Sequence, residues 1–463
     1  MTPSLVYSAS GLLGAALGAA AGTTGAPPSA LRALAPFGAL LVVRRRLHWH
    51  ALGIAAAVAS LSWSIAALHH ERATALQALA RGVPRCDLSG SVHERFGNSG
   101  VVMSGSVRCE DGSTGEGRVY ARLTAAPGSR VSGVGWLAPI GGDDGFDEMR
   151  ARAGLVAEFH FDDVRRSPPK GVFAVAETFR SSLRGALTDD ARGELALGLT
   201  IGETARFAPR DVEVLRAAGL SHLVAVSGSN VAIVLAAIGL LFAWSSRRAR
   251  LAVAVVGLVS FVLVVGPEPS VLRAAAMAAV ALAALATGTR SDPLAGLMLA
   301  VLLLLIVRPA LVWSVGLHLS AAATAGIVLW SRPLENVLAV LPRPLRLPMA
   351  VTLAAQLAVT PVLVTTFGTL SLVAPVSNVL AVPAVAPATI LALVAGCLQP
   401  VAPGPAAVPA ALAEALCGWI LAVGRRLGSS GWAEVTLGAA WALPVTLVVI
   451  GSAVAAFRGG RGD

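Results

Sequence analysis

The sequence predicts a polytopic α-helical membrane protein with one small all-β domain inserted near its N-terminus. Three observations lead there. Of its 463 residues 55% are hydrophobic and 13% charged, with a mean hydropathy of +0.73, whereas soluble domains carry about a quarter charged residues. Apolar runs follow one another after residue 220, most long enough at ~1.5 Å rise per residue to cross much of a hydrocarbon core of ~30 Å. Between residues 85 and 165 the pattern changes to short β-like runs separated by glycine- and aspartate-rich turns.

Residues 1–70 hold three apolar runs, 5–22, 31–43 and 51–68, the second interrupted by Pro36. Arg44, Arg45 and Arg46 precede the third run and mark a cytoplasmic loop, because basic residues collect on that side. Two runs before this loop place the N-terminus in the cytoplasm, so the segment after residue 68 is exported. The first run lacks a basic leader and is followed by further apolar runs, so it reads as a span. Residues 71–170 are then an extracytoplasmic β domain with strands expected at 88–92, 101–107, 118–123, 131–137 and 155–161. Five short strands suit either a barrel of OB type or a fragment of a sandwich. Cys86 and Cys109 both lie here, and the oxidising exterior leads us to expect a disulfide between them.

Residues 171–220 read as an amphipathic connector. Phe173, Val175, Phe179, Leu183 and Leu187 recur at helical spacing with Glu177, Arg180 and Arg184 between them. Residues 221–463 form the multi-span region: one span opening near 220, then runs at 251–266, 270–287, 293–307, 311–330, 347–367, 374–397, 407–424 and 434–457. With the first three these make about twelve spans or re-entrant segments. Much of the formal charge of +10 fixes their orientation. Arg425 and Arg426 fall on the wrong side, and Pro383, Pro387, Pro400, Pro403 and Pro405 make a re-entrant segment between 370 and 430 the expected explanation.

The span near 220 is unusual. Residues 219–234 read Gly-Leu-Ser-His-Leu-Val-Ala-Val-Ser-Gly-Ser-Asn-Val-Ala-Ile-Val, placing His222, Ser227, Gly228, Ser229 and Asn230 at the head of an apolar run. Hydrocarbon penalises each unpaired polar group by several kcal/mol. One serine is explained by a hydroxyl bonded back to its own helix; a cluster of five small or polar residues calls for a cavity or a partner. Arg273, His318, Gln356 and Asn378 add polar groups to later spans. Such residues face a cavity or a partner, although Arg273 could snorkel to an interface, and His318 or Gln356 could tie helices together.

Several of these stretches occur together, in order, in one known family. The signature at 219–228, Ser-Val-Leu-Arg-Ala at 270–274, Leu-Ser at 319–320, Ala-Gln-Leu-Ala-Val-Thr-Pro at 355–361, and Phe-Gly-Thr-Leu-Ser-Leu-Val-Ala-Pro-Val-Ser-Asn-Val-Leu-Ala-Val-Pro at 367–383 resemble the ComEC family, the inner-membrane channel of bacterial natural transformation. Two positions depart from its pattern: Asn230 stands at the usual second histidine, and His318 stands where glutamine is expected. The resemblance extends to residues 145–155 and implies that the β domain is OB-like. It further implies that single-stranded DNA passes through the helical bundle, with His222, Ser227, Gly228, Ser229, Asn230, Arg273, His318, Gln356 and Asn378 along its path. In the β domain, Arg95, Arg108, Arg118, Arg122 and Arg130, with Phe96 and Tyr120 as stacking faces, are then the candidate DNA contacts.

The sequence also narrows the chemistry. Its one lysine, Lys170, lies in Ser-Pro-Pro-Lys, so there is no phosphate-cradling Gly-x-x-x-x-Gly-Lys loop. Longer family members end in a metallo-β-lactamase-like domain marked by His-x-His-x-Asp-His; this sequence reaches Asp463 without that cluster, and no cofactor or metal is expected. Ser227 lacks the preceding glycine of a nucleophile elbow, and His222 five residues earlier points to another helix face. The expected protein is therefore a multi-pass plasma-membrane channel without nuclease or ATPase activity. It would rely on a separate DNA receptor, nuclease and motor. The alternative is a transporter or flippase of another anionic polymer or small solute.

Overall fold

A computed structural model of the chain describes residues 76, 78–96, 100–140, 155, 157–203, 207–224, 228–266, 269–288, 292–308, 311, 312 and 314–437. The three N-terminal runs lie outside these residues. The β domain contains β1 (Arg85–Phe96), β2 (Gly100–Cys109), β3 (Thr114–Ala121), β4 (Arg130–Pro139), β5 (Ala157–Phe161) and the short β6 (Arg165–Ser167). All five expected strands are present. They pair in the order β1-β2-β3-β5-β4, and β4 pairs again with β1, which closes the barrel. The β3–β5 pairing is parallel and the others are antiparallel. This is an OB-like barrel, so the sandwich alternative falls away.

Alternation along the strands explains the barrel's two surfaces. Leu88, Val101, Met103, Val119, Leu137 and Phe159 point inward and are fully buried, with Leu76 packed into the same core. Cys86 and Cys109 lie directly opposite each other on β1 and β2 and are joined by a disulfide.

Twelve helices follow among the described residues: α1 (Val172–Ala186), α2 (Ala191–Ile201), α3 (Pro209–Ala217), α4 (Ser221–Val224), α5 (Gly228–Leu241), α6 (Arg247–Val265), α7 (Pro269–Thr287), α8 (Pro293–Val307), α9 (Val315–Val337), α10 (Arg343–Thr366), α11 (Ala374–Leu398) and α12 (Pro403–Gly428). Five are long and apolar enough to cross a membrane: α6, α7, α10, α11 and α12; α5 and α8 are shorter apolar helices. The expected tally of about twelve spans is therefore not reached among the described residues. The run placed at 434–457 begins instead with a strand, β8 (Glu434–Thr436), paired with β7 (Thr369–Ser371); its remainder from 438 onward lies outside them.

Helices pack through small residues and turn large apolar ones outward, as expected where lipid is the solvent. On α11, Ala381, Ala384, Ala388, Ala392 and Ala395 are buried, facing Ala406, Ala410, Ala413 and Cys417 of α12. Val256 and Val259 of α6, Val382 of α11 and Trp419 of α12 are exposed. Pro383 and Pro387 lie inside α11 without ending it, so the expected re-entrant segment is two full-length helices. Arg425 sits apart from the other basic loops because Asp211 of α3 accepts from its Nε and Nη2 at 2.9 and 3.0 Å.

The connector is packed on the bundle. Leu183, Leu195, Leu199, Leu215 and Leu220 form one core with α11 and α12. Of the apolar stripe read in the sequence, Phe179, Leu183 and Leu187 meet this core, whereas Phe173 and Val175 are exposed.

The disulfide closes a loop with a sequence separation of 23 residues, worth about 3 kcal/mol on the chain-entropy account. Reductant, or Cys86→Ser with Cys109→Ser, should make the barrel of the full-length protein more sensitive to limited proteolysis. An unchanged cleavage rate would show that the barrel does not depend on the bridge.

Candidate functional site

The signature begins at a helix stop. Helix α3 ends in a Schellman arrangement: the Leu220 N–H donates to the Leu215 carbonyl at 2.8 Å and the Gly219 N–H to the Arg216 carbonyl at 2.9 Å. Gly219 has φ +72°, and a Cβ there would lie 2.3 Å from that of Ala374, so both conformation and space require glycine. The chain then makes the single turn α4 before α5 starts at Gly228. Within the signature, residues 225–227, Ser227 among them, lie outside the described residues.

Gly228 meets Arg273. A Cβ at Gly228 would lie 2.6 Å from Arg273 Nη2 and 3.2 Å from the Ala274 Cβ. Arg273 on α7 is only 5% exposed. Its Nη1 donates to Thr324 Oγ1 at 3.2 Å and to Met277 Sδ at 3.4 Å, both uncharged, and its buried Nε has no partner. The Thr324 hydroxyl donates to the Ser320 carbonyl at 2.9 Å, leaving its lone pairs for the guanidinium. No carboxylate among the described residues pairs with Arg273.

The connector holds both sides of this junction. Asn230, 1% exposed, donates from Nδ2 to the Leu199 carbonyl at 2.6 Å, one of the last four carbonyls of α2, which lack an intrahelical partner. Arg180, 3% exposed, donates from Nε to the Val264 carbonyl at 2.7 Å and from Nη2 to the Leu263 carbonyl at 3.0 Å, at the equally unsatisfied end of α6. Its Nη1 pairs with Glu177, which also holds Arg184, and Arg184 forks onto Glu203 at 2.7 and 2.6 Å. Arg180 and Arg184 are thus carboxylate-paired where Arg273, among the described residues, is not.

The other path candidates separate. Ser229 and His222 are accessible. His318 on α9 is half-buried with an unpartnered Nε2, and Gln356 on α10 is half-buried. Two expectations change. Asn230 ties α5 to α2 and does not line an open path. The Asn378 amide donates to the Ala374 carbonyl of its own helix at 2.9 Å, although its buried Oδ1 stays unpartnered. Asn230→Leu should remove a buried bond and strand the Leu199 carbonyl, a loss of about 1–3 kcal/mol, read as lower thermal stability of the purified protein.

On the barrel, pairing brings Arg130 of β4, Ser91 of β1, Ser104 of β2 and Arg118 of β3 into one transverse row. Arg108 projects outward two residues away from Ser106 on the same face. Arg122 is exposed but lies 3.4 Å from Glu158. Arg95 and Phe96 belong to β1, but their side chains are outside the described set. Tyr120 is corrected: at 2% exposure it packs against Val102, Ile140 and Leu155 and offers no stacking face. An accessible ring on the barrel is Trp136, 44% exposed with the Arg85 guanidinium 5.9 Å from its centroid. Alternation in β4, with Val131 and Leu137 inward, was the sequence signal that put Trp136 outside. Tyr120→Ala should destabilise the protein by about 3–5 kcal/mol as other large-to-small core changes do, whereas Trp136→Ala should leave its melting temperature nearly unchanged.

Comparison with known proteins bears on the bundle most directly. No solved structure matches the chain. ComE operon protein 3 of Bacillus subtilis (strain 168) is 32% identical over 213 residues, covering 44% of this chain and 26% of that protein; the match spans about a quarter of that relative's length. The family described as Competence protein matches residues 199–461, which include the signature, Gly228, Arg273 and the α11–α12 hairpin. With more than half of its length matched, this membrane protein belongs to the competence protein family.

Proposed function

We propose that the chain conducts single-stranded DNA inward across the bacterial plasma membrane, as a channel and not as an enzyme. The observation that carries this reading is Arg273, a buried guanidinium in an apolar bundle with no carboxylate partner among the described residues. A fixed cation left unpaired in such a place is strongly unfavourable unless an anion or water visits it. A strand crossing ~30 Å brings several phosphates with it, and a path lined by hydroxyls and one cation attracts phosphate without trapping it. Family membership and the 32% identity to a ComE operon protein favour DNA over other polyanions.

On this reading the OB-like barrel is extracytoplasmic and receives DNA on the face of Arg108, Arg118 and Arg130. The disulfide suits that compartment. The sequence has no nucleotide-phosphate loop, so the driving force is assigned to a separate motor.

The test is uptake of fluorescent DNA by a strain lacking the gene, complemented with wild type or Arg273→Ala. Loss of a charged hydrogen bond of about 1.5–3 kcal/mol should lower internalisation about tenfold or more, with abundance by immunoblot unchanged. Normal internalisation in the uncomplemented strain would overturn the reading and favour a solute transporter or flippase.

A further inference from the structure

We propose that the outer face of the barrel is a track for the sugar–phosphate backbone, one that takes duplex DNA as readily as a single strand. The inference rests on the reading that the barrel receives DNA, and it names the form in which the DNA arrives.

Alternation and register place five serines on adjacent strands of that face. Ser132 of β4, Ser89 of β1 and Ser106 of β2 make one transverse row, with the Oγ atoms of Ser89 and Ser106 3.2 Å apart. Ser91 and Ser104 belong to the next row, which Arg130 and Arg118 close at its two ends. Three strand spacings of about 4.8 Å put these arginines about 14 Å apart along the sheet, room for more than one phosphate at a duplex rise of about 3.4 Å per strand. Strand β6 extends the positive end: Arg165 lies opposite Ser132 and Ser167 opposite Arg130, and Arg165, Arg166 and Lys170 are exposed. On one side the track ends where Val102 and Tyr120, the next outward pair, are covered by Ile140 and Leu155. On the other, Asp87 and Glu116 line an open hollow of about 630 Å³ together with Arg108 and Thr114. Their carboxylates repel phosphate and confine it to the serine rows.

Preference for single strands comes from aromatic faces on which unpaired bases stack. Among the described side chains this track has none. Tyr120 is buried, and Trp136 stands six residues along β4 from Arg130, about 20 Å away at strand rise. Its neighbour Arg85 is there flanked by Asp162 at 3.5 Å and Glu110 at 4.0 Å, which offset the charge a phosphate would seek. Hydroxyls and guanidinium groups contact phosphate oxygens, and a duplex and a single strand both present these. A duplex carries one charge per about 1.7 Å of axis, twice that of either strand alone, so a track that reads phosphate does not favour the single strand. Serine keeps the floor low, and a wide duplex reaches the arginines without meeting bulk. On the channel reading, the two strands therefore part after the barrel has engaged them.

The experiment titrates the full-length protein, in nanodiscs of zwitterionic lipid, against a fluorescent duplex and against one of its strands, reading anisotropy across a salt series. Arg118→Ala with Arg130→Ala should weaken duplex binding about tenfold or more at low salt and lower the slope of log K against log salt by about two. Arg118→Lys with Arg130→Lys should keep most of the affinity, which separates lost charge from lost fold, and Trp136→Ala should change neither DNA form. Duplex binding unaltered by the alanine pair, a lysine pair as weak as the alanine pair, or single-strand binding weakened by Trp136→Ala would overturn the track. Uptake measured beside binding keeps the two readings apart. Failure of the track with uptake still dependent on Arg273 leaves the channel reading standing, whereas duplex binding through Arg118 and Arg130 with normal uptake in the uncomplemented strain removes the channel reading and keeps the track.

Discussion

Helix ends inside an apolar bundle expose carbonyls that water cannot reach, and satisfying them organises this molecule. The ends of α2 and α6 both terminate within packed structure, and each is met by a donor side chain from another element. Arg180 of α1 reaches the α6 carbonyls of Leu263 and Val264, and Asn230 of α5 reaches Leu199 of α2. Each bond has two roles. It removes an orphan acceptor and sets where the next segment begins. Helix α7, with Arg273, follows directly from the α6 end that Arg180 holds, and Gly228 lies two residues before the asparagine that grips α2. The two halves of the junction are thus positioned by one connector.

Charge is distributed with the same logic. Arg180, Arg184, Arg216 and Arg425 each meet a carboxylate: Glu177, Glu203, Glu434 and Asp211. Arg180 and Glu177 pair within α1, while the other three pairs join separate elements, and none leaves a net demand for a ligand. Arg273 instead has a hydroxyl and a thioether, which orient the guanidinium but do not neutralise it. The difference between a guanidinium used for architecture and one kept for an anion lies in its acceptors.

The barrel solves a separate problem. A sheet with free edges invites pairing with other chains, and closure of β4 onto β1 removes the edge. Once closed, alternation sorts its side chains: on β4, Arg130 and Trp136 are accessible while Val131 and Leu137 build the core. Tyr120 lies on the face opposite its β3 neighbours Val119 and Ala121, which build the main core, and is buried because a small cluster of Val102, Ile140 and Leu155 covers that outer face.

Hydropathy and period by themselves determined the membrane bundle, the five barrel strands and the boundaries of most helices from α6 to α12, because these depend on local composition and repeat. The signature motif and Arg273 were legible as polar groups that hydrocarbon would penalise. What each polar group does was decided only by tertiary structure. Asn230 and Ser229 are adjacent and equally polar in sequence, yet one is tied to Leu199 and the other is accessible, since a helix turns about 100° per residue and only packing says which face meets a neighbour. Prolines 383 and 387 suggested a broken segment, but α11 runs through them. The meeting of Gly228 with Arg273, 45 residues apart in sequence, depends on how α5 and α7 are laid against each other, and no local pattern carries that information.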